Sequence, residues 1–510
     1  MTSKPEVVEC DLLVIGGGIN GAGIARDAAG RGLRVVLCEK DDLAAHTSSA
    51  SSKLIHGGLR YLEYYEFGLV RKALQEREVL MRMAPHLISP LRFVMPHRAG
   101  LRPRCLLRAG LFLYDHLATR ALLAASRSVT FANHKSGSAL KKSFQYGFIY
   151  SDAWVDDARL VVLNALDAQE RGARILTHTA CHSLQQRDGQ WLAELRASDQ
   201  FGHDLQVQAR AVVNASGSWA ADLQHRFSPS LPPKNLRLVK GSHIVVKRLF
   251  EHDHAYIFQH PDGRIVFAIP YEQQYTLIGT TDLEFKEDPN RLEISDQEID
   301  YLCELSNQYF EQQIGAQDVV WSYSGIRPLV DDGQSDAKAI TRDYRFELSQ
   351  HGAPILHVFG GKITTYRRLA QEAVDQVAPL LGVHRAAWTA NALLPGGDLF
   401  CSVPDNKNVV SFKDFVRSCC ETYAFLPEAL IWRYARQYGA RIHLMLKDCD
   451  CLQAMGEELV PGLYELELQY LSKYEFAKRA EDILWRRTKL GLHLGASAES
   501  IVDAWLERIP

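Results

Sequence analysis

The 510-residue sequence lacks a long apolar run, a secretory leader and a clustered cysteine pair. Its first ten residues contain no apolar signal-peptide core, and no uncharged apolar stretch reaches the roughly 18 residues of a spanning helix. The ten cysteines form no Cys-x-x-Cys pair, and the closest spacings, Cys419–Cys420 and Cys449-Asp450-Cys451, suit neither a disulfide framework nor a zinc site. These absences predict a cytoplasmic chain in a reducing compartment, without a metal centre.

A strong charge of one sign is also missing. The formal net charge of −3 gives no overall attraction to nucleic acid, so no such partner is expected. With 46% hydrophobic and 23% charged residues, the composition is that of an ordinary globular protein. The length is sufficient for two or three domains around a large core, and no internal repeat has a fixed period.

The clearest positive feature is Gly16-x-Gly18-x-x-Gly21. An apolar run, DLLVI (11–15), precedes it, a small-residue helical stretch (20–32) follows, and a β-branched run comes next at Val35–Cys38. This order of strand, tight turn, helix and strand is the context in which such glycines bind a dinucleotide pyrophosphate at a helix N-terminus. Glu39 ends the second strand, where an acid binds a ribose hydroxyl. The alternative is a structural glycine turn in an unrelated α/β protein.

A hydroxyl-rich segment favours FAD over NAD. Thr47-Ser48-Ser49-Ala50-Ser51-Ser52-Lys53 leads directly into LIHGGLRY (54–61) and offers many hydrogen-bonding groups to an extended ligand. The alternative interpretation is a solvated serine-rich linker. It fits less well, because an apolar strand pattern follows at once.

The rest of the chain predicts an α/β fold, with a Rossmann-like FAD-binding domain, an inserted β-rich substrate (cap) domain and a C-terminal helical domain. Further strands are expected at 174–179, 211–214, 243–246 and 355–359, and helices at 66–83, 157–171 and 365–381. The predicted domains are 7–90 with 150–235 and 324–390 for FAD, 236–323 for substrate, and 398–510 for the helical domain. Residues 91–149 are assigned to a basic and apolar segment.

The chain resembles the FAD-dependent, respiratory glycerol-3-phosphate dehydrogenases. The resemblance begins in GGGINGAGIARDAAGRGL and TSSASSKLIHGGLRYLE, and extends over nearly the whole length. It continues in YSDAWVDDARLV (150–161), VVNASGSWA (212–220), LVKGSHIVV (238–246), IGTTD (278–282), SGIRPL (324–329), AITRDY (339–344), FGGKITTY (359–366) and WRRTKLGL (485–492). Ser216 is a small departure, because the family more often has threonine there.

The resemblance implies a set of residues that bind FAD. In this sequence they are Gly16, Gly17, Gly18, Ile19, Asn20, Gly21, Glu39, Lys40, Thr47, Ser48, Ser49, Ser51, Ser52, Ala180, Ser216, Gly217, Gly361, Lys362, Ile363 and Thr364. Gly16 to Gly21 would hold the pyrophosphate, Glu39 the adenosine ribose, and Ala180 the adenine. Gly360-Gly361-Lys362 would approach the isoalloxazine ring, as a glycine pair between a strand and a helix can.

The implied reaction is oxidation of sn-glycerol 3-phosphate to dihydroxyacetone phosphate. Cations must bind the phosphate, and arginine is preferred because its planar fork donates two parallel hydrogen bonds. The predicted substrate-binding residues are Arg60, Tyr61, Arg327, Arg342 and Lys362. Any one of these cations could instead be a solvated or ion-paired side chain.

Oxidation of the alcohol also requires a base for the hydroxyl proton, which is usually a histidine. His56 is preferred because it lies four residues before Arg60 in the segment placed beside the flavin. His243 is the second candidate, although a histidine within a strand is more often part of the core. Arg327 completes the predicted catalytic set.

The resemblance implies ubiquinone or a related quinone as the electron acceptor, and peripheral association with the cytoplasmic (inner) membrane. The sequence supports this in 91–114, where five arginines and no acidic residue before Asp115 alternate with apolar residues. That pattern is typical of a segment that lies on anionic lipid. The alternative is an amphipathic core helix with a basic solvent face. A homodimer is also expected.

Other functions remain open at this point. The main alternative is a glycerol-3-phosphate oxidase that uses oxygen and produces hydrogen peroxide. A non-catalytic flavoprotein and an amine-oxidising relative of the D-amino acid oxidase type are further alternatives. The set of cations favours a phosphorylated substrate over an amine.

Overall fold

The computed structural model describes residues 6–98, 102–228, 231–232, 234–260, 264–331 and 343–508. Its strands are β1 (Glu6–Ile15), β2 (Val35–Cys38), β3 (Leu54–Ile55), β4 (Ile88–Pro96), β5 (Arg127–Thr130), β6 (Tyr146–Val155), β7 (Arg174–Leu176), β8 (Thr179–Arg187), β9 (Gln190–Ala197), β10 (Leu205–Asn214), β11 (Leu236–Lys247), β12 (Ala255–Gln259), β13 (Ile265–Tyr271), β14 (Tyr275–Gly279), β15 (Leu283–Glu284), β16 (Val319–Val330), β17 (Arg345–Ser349), β18 (Ile355–Phe359), β19 (Glu458–Val460) and β20 (Leu463–Tyr464).

The α-helices are α1 (Ile19–Gly30), α2 (Phe67–Met83), α3 (Arg104–His116), α4 (Asp157–Glu170), α5 (Ala220–Phe227), α6 (Asp296–Tyr309), α7 (Tyr366–Val377), α8 (Asn406–Val410), α9 (Phe412–Thr422), α10 (Glu428–Tyr438), α11 (Ile442–Met445), α12 (Glu465–Tyr474) and α13 (Ser497–Leu506). Short 3-10 turns connect several of them, and residues 482–487 form a π-helical turn.

The first sheet has the order β17-β18-β10-β1-β2-β7, and a β8–β9 hairpin continues from β10. β1 pairs in parallel with both β10 and β2, and β10 pairs in parallel with β18. These strands are nearly continuous apolar runs because both faces of a parallel sheet are covered. Helices α1, α4 and α7 pack together in the core on one face. The Rossmann-like α/β fold predicted for this part is confirmed.

The predicted strands and helices are present, although β10 and β11 begin earlier than the predicted 211–214 and 243–246, and α7 ends at Val377 before a 3-10 turn to Leu381. β2 and β18 have the predicted bounds, and α2 and α4 differ from them by a residue at one end. The predicted strand 174–179 is instead the end of β7 and the start of β8. The chain turns between them at His178, whose φ of 53° is left-handed.

The second sheet has the order β15-β11-β14-β13-β12-β4-β6-β3, with β16 paired to β11 and β5 to β6. It therefore extends beyond the predicted substrate domain of 236–323. β4 pairs with β12 at Ala255 and Phe93, and with β6 along its length, so 88–96 and 146–155 belong to this sheet. The domain bounds predicted from the sequence assign these residues instead to the FAD-binding domain and to the basic and apolar segment 91–149. The pairing covers the polar backbone edge that β12 would otherwise expose.

The C-terminal helices form their own apolar core, which confirms the predicted helical domain. This domain contacts both sheets. Trp485 stacks on Trp321 of β16 with ring centroids 4.7 Å apart. On the other side, buried Arg159 of α4 forms a two-point ion pair with Glu475. Across the described ranges, no helix has both the length and the apolar character needed to span a bilayer.

Candidate active site

A cavity of about 630 Å³ lies between the two sheets. Its lining includes the carboxyl ends of β1, β2, β10 and β18, or the residues directly after them. Ligands of open α/β sheets bind at this edge. The second sheet supplies the opposite wall, with apolar side chains from Phe93, Ile257 and Phe267. The cavity is thus bounded on one side by the sheet edge at which nucleotides bind and on the other by the second sheet.

The glycine turn follows β1 at one end of this cavity. Gly16 has a φ of +113°, and a Cβ there would lie 2.6 Å from the carbonyl oxygen of Ala215. A Cβ on Gly21 would lie 1.8 Å from the carbonyl oxygen of Gly16. Gly16 and Gly18 line the cavity, whereas Gly17 and Gly21 are not part of its lining. Gly17 and Gly21 therefore allow close packing of the turn against its neighbours and do not face the cavity.

Glu39 is tied to this turn by its carboxylate. The backbone N–H of Gly17 donates to Oε2 at 2.6 Å, and the N–H of Asp41 donates to Oε1 at 3.0 Å. Burial raises the pKa of Glu39, against the effect of these hydrogen bonds. Asp41 and His46 lie close enough to share a metal ion with Glu39. However, His46 Nε2 and Asp41 Oδ2 are already 2.7 Å apart, and Glu39 is committed to backbone groups.

The hydroxyl-rich loop is held mostly by protein partners. Ser48 Oγ accepts from the N–H of Ile19 at 3.0 Å, and Thr47 Oγ1 donates to the carbonyl of Ile326 at 2.9 Å. Ser51 Oγ donates to buried Asp157 at 2.7 Å. Thr47, Ser48, Ser51 and Ser52 line the cavity. Ser49 does not, and its hydroxyl donates to the carbonyl of His46.

Two further features of the cavity lining fit FAD. Asn20 donates from Nδ2 to the carbonyl of Gly360 at 3.1 Å, and its buried Oδ1 has no hydrogen-bond partner among the described residues. Gly360 and Gly361 have φ values of +72° and +102°, so the strand β18 ends in a turn that only glycines make without strain. Asn20, Gly360 and Gly361 all line the cavity, so this amide oxygen and the glycine turn are available to a ligand.

The cavity lining also includes the residues predicted to hold the nucleotide. Ala180, Ser216, Gly217 and Lys40 line it, and a Cβ on Gly217 would meet no atom within 4 Å. Trp219 was missed by the sequence analysis. Its ring lies 4.2 Å from Lys40 Nζ and packs edge-on against His46. Trp219 lies in the VVNASGSWA segment (212–220) of the family resemblance, but its contacts with residues 40 and 46 leave no local signal in the sequence.

The candidate substrate-binding cations also line the cavity. Arg327 donates from Nη1 to Asp282 at 2.9 Å and from Nη2 to Thr280 Oγ1 at 3.1 Å. Lys362 Nζ lies 3.7 Å from the centroid of the Tyr61 ring. Arg60, Tyr61, Arg327 and Lys362 all line the cavity, as does Arg264, which the sequence analysis missed. Arg342 lies outside the described residues.

Both candidate histidines line the cavity, in different surroundings. His56 is half-buried, and its ring packs edge-on against Phe267. His243 is buried, stacks on Tyr323 and lies 2.9 Å from Ser52 Oγ through Nε2. Burial holds the pKa of His243 well below its usual range, and the charges of Arg327 and Lys53 act in the same direction. His243 is therefore a neutral imidazole at neutral pH.

A buried network supports the segment after His56. Tyr114, on α3, donates from its hydroxyl to Asp152 Oδ1 at 2.7 Å and accepts from the N–H of Gly57 at 2.9 Å. Arg77 pairs with the same Asp152 oxygen at 2.5 Å. A Cβ on Gly57 would lie 2.6 Å from the Tyr114 hydroxyl. The sequence analysis missed this network, because its members come from distant segments.

Two family models cover nearly the whole chain. The FAD dependent oxidoreductase model matches residues 11–367, and the C-terminal domain of alpha-glycerophosphate oxidase matches residues 387–509. A Pseudomonas aeruginosa relative, glycerol-3-phosphate dehydrogenase, is 50% identical over 99% of this chain and 96% of its own. A Brucella abortus relative, D-erythritol 1-phosphate dehydrogenase, is 46% identical over 99% of both chains.

A solved structure is similar over the same extent. It is glycerol-3-phosphate dehydrogenase from Bacillus halodurans, complexed with FAD, with a TM-score of 0.77 and 27% identity. The similarity covers 98% of this chain and 90% of that one. The likeness thus includes both sheets and the helical domain.

Proposed function

The chain belongs to the FAD-dependent oxidoreductase family, and we propose that it oxidises sn-glycerol 3-phosphate to dihydroxyacetone phosphate and passes the electrons to a membrane quinone. The observation that carries this proposal is the cavity itself. Its lining includes both a dinucleotide-binding turn and several cations, among them Arg327 and Lys362. The full-length relative from Pseudomonas aeruginosa, named for this substrate, supports the same conclusion.

FAD is the cofactor, and the cavity residues that would hold it fall into three groups. The turn at Gly16–Gly21 would contact the pyrophosphate, Glu39 the ribose, and the Gly360–Gly361 turn the ring system. When bound, FAD supplies the hydride acceptor. The protein's contribution is to orient the substrate, exclude water and take up the hydroxyl proton.

The cations would hold the phosphate of the substrate. Arg327 is already oriented by Asp282 and Thr280, which leaves less side-chain freedom to lose on binding. Arg60, Lys362 and Arg264 line the same cavity. Arg342 remains part of the proposal from its sequence alone.

His56 is the proposed base for the substrate hydroxyl. It lies beside Phe267 on the cavity wall, and its backbone N–H donates to Thr364 Oγ1 at 3.3 Å in the turn after Gly361. His243 is a weaker base, because burial and two neighbouring cations disfavour its protonated form. In this scheme His243 positions Ser52 and the loop next to it.

The test is anaerobic addition of sn-glycerol 3-phosphate to the holoenzyme while the flavin absorbance is recorded. We expect bleaching of the oxidised flavin and one equivalent of dihydroxyacetone phosphate. A parallel run with D-erythritol 1-phosphate, the substrate in the name of the Brucella relative, compares the two polyol phosphates. Faster bleaching by the longer substrate would contradict the proposed specificity, and absence of flavin would contradict the cofactor.

The reduced enzyme distinguishes a dehydrogenase from an oxidase. We expect rapid reoxidation by a soluble quinone analogue and slow reoxidation by oxygen. Fast hydrogen peroxide production together with no reaction with the quinone would support the oxidase instead. The same preparation, examined by sedimentation, tests the proposed homodimer.

The proposed membrane contact lies on α3. Leu106 and Phe112 are 56% and 58% exposed, whereas Leu111 and Tyr114 are buried. Arg102, Arg104 and Arg108 are exposed on or beside this helix. Exposed apolar side chains among cations are typical of a helix that lies in the surface of an anionic membrane. Arg102 also pairs with Glu63 at 2.7 Å, and Arg108 donates to Ser126 Oγ at 2.9 Å, but both remain exposed. Arg92 lies on β4 and is only partly exposed, so it is outside the proposed contact.

Co-sedimentation with phosphatidylglycerol vesicles tests this contact. We expect Leu106→Ser with Phe112→Ser to weaken binding by about 10–100-fold, which corresponds to roughly 1.4–2.7 kcal/mol of lost apolar burial for the two exposed side chains. Val410→Ser is the matched control, since Val410 is an exposed apolar residue of the C-terminal domain. Equal binding of wild type and double variant would contradict the docking role of α3.

A further inference from the structure

Two arginines of the C-terminal domain reach the loop that closes the ribose end of the cavity. Arg487 donates from Nη1 and Nη2 to the two carboxylate oxygens of Asp42, at 2.6 and 2.8 Å. Arg486 donates from Nε to Asp42 Oδ2 at 2.6 Å. All three side chains are buried. Two arginines of the C-terminal sequence WRRTKLGL (485–492) therefore contact a loop at the edge of the nucleotide site.

The arginines are fixed from their own side as well. Arg487 donates from Nη2 to the carbonyl of Glu475 at 2.7 Å, and Arg486 donates from Nη2 to Asp482 at 2.6 Å. Burial opposes ionisation of Asp42, but the two guanidinium groups hold the pKa of its carboxyl below the usual range. Asp42 is thus a buried carboxylate whose charge depends on another domain.

The loop that contains Asp42 supports the glycine turn directly. The N–H of Ala44 donates to the carbonyl of Gly17 at 3.2 Å, and a Cβ on Gly17 would lie 3.0 Å from a methyl carbon of Leu43. The N–H of Asp41 donates to Glu39. A shift of Asp42 would therefore move both the turn expected at the pyrophosphate and the carboxylate expected at the ribose.

We propose that Arg486 and Arg487 are positioning residues through which the C-terminal domain controls the retention of FAD. They do not touch the cofactor; they act through Asp42 and the loop 40–46. The proposal rests on FAD binding at the Gly16–Gly21 turn. It assigns to the C-terminal domain a role in cofactor affinity that is separate from the binding of the phosphorylated substrate.

The experiment is a measurement of FAD release from diluted holoenzyme, followed by the rise in free-flavin fluorescence. Arg487→Lys keeps the charge but loses the two-point hydrogen bond. We expect FAD release about tenfold faster than in the wild type, because contacting groups commonly couple by that factor. The KM for substrate, measured with excess FAD, should stay within about twofold, since the phosphate end is not touched.

Arg433→Lys is the matched control. Arg433 also forms a two-point pair, with Glu467 at 2.6 and 2.7 Å, but that pair lies within the C-terminal domain. It should lower the melting temperature without changing FAD release at a temperature well below melting. A purely structural role of Arg487 would predict the same result for both variants.

Asp42→Asn is the second variant if Arg487→Lys does not fold. This substitution keeps the side-chain volume and removes the negative charge with which both arginines form ion pairs. The variant should therefore also release FAD faster than the wild type. Wild-type release rates in folded Arg487→Lys or Asp42→Asn would overturn the proposal, as would equally fast release from Arg433→Lys. A wild-type protein that binds no FAD at all would instead contradict the proposed function.

Discussion

The cavity lining has two parts that are built in different ways, and we name them the nucleotide end and the substrate end after the ligand group that each is expected to hold. The pyrophosphate and ribose part of the nucleotide end comes from one continuous stretch, 11–52, in which the glycine turn, Glu39 and the hydroxyl-rich loop follow one another, and Ala180 and Ser216-Gly217 complete it. The substrate end is assembled from separate parts of the second sheet and the Gly360–Thr364 turn. Arg327 lies on β16 and His243 on β11, and these two strands pair with each other. Local geometry therefore defines the first end, and long-range packing defines the second.

This difference explains what the sequence alone could predict. The glycine turn has a fixed spacing because a Cβ at Gly16 or Gly21 would meet backbone atoms, so the motif carries its own structural reason. β1, β2 and α1 were predictable because their apolar, β-branched and small-residue runs are also local patterns. The pairing of β4 with β12 was not, because strands far apart in sequence leave no local signal of their partners.

The contacts that support the site were missed for a related reason. Tyr114, Asp152 and Arg77 are ordinary residues until the fold buries them together. The sequence WRRTKLGL is part of the family resemblance, but nothing in it indicates that Arg487 forms an ion pair with Asp42. Polar residues whose function depends on a distant buried partner need the structure to be identified.

The largest expected effect is at the substrate end. His56→Asn should slow flavin reduction by roughly 10²–10⁴-fold, because a positioned base contributes about that much. FAD content should stay at the wild-type level, since His56 lies outside the nucleotide end. Stopped-flow bleaching measures the rate, and His116→Asn, an exposed histidine of α3, is the control. A larger loss in His243→Asn than in His56→Asn would reverse the assignment of the base.

The opposite pattern is expected at the nucleotide end. Gly21→Ala should weaken FAD binding by about 10–100-fold, because overpacking against the Gly16 carbonyl costs about 1–3 kcal/mol. After reconstitution with excess FAD, the rate of bleaching should be close to that of the wild type. Gly68→Ala is the control, because a Cβ there meets no atom within 4 Å. Retention of FAD by Gly21→Ala would show that the turn tolerates a side chain.

A smaller effect is expected in the buried network of Tyr114, Asp152 and Arg77 that supports the segment after His56. Tyr114→Phe removes the hydroxyl between Gly57 and Asp152 and should raise the KM for substrate by about fivefold, since one hydrogen bond contributes about 1 kcal/mol. The affinity for FAD should not change. Tyr146→Phe, at an exposed tyrosine, is the control. An equal fall in FAD content would show that the two ends are not separate.

The smallest effect concerns acid stability beneath the nucleotide end. His357 of β18 is buried between Asn214 Nδ2 and Ser228 Oγ, and burial lowers its pKa to about 4. The unfolded chain takes up this proton near the ordinary value of about 6.5, so stability is complete above that pH and is lost as the pH falls toward 4.

His357→Gln should therefore reduce the loss of stability between pH 7 and about pH 5.5 by about 1 kcal/mol. The measurement is the melting temperature of holoenzyme at both values. An exposed histidine variant, His116→Gln, should leave the pH dependence unchanged. If His357→Gln loses as much stability on acidification as the wild type, the histidine does not contribute in this pH range.

The central claim is that one cavity holds FAD at one end and the substrate phosphate at the other. The most direct test is anaerobic single-turnover reduction of Arg327→Lys, with FAD content measured in the same sample. We predict full FAD content and bleaching by sn-glycerol 3-phosphate slowed by about 10–100-fold, the range for a hydrogen bond to a charged group. Reaction with glycerol, which has no phosphate, should be equally slow in both proteins. Loss of FAD, or an equal slowing with glycerol, would contradict the account.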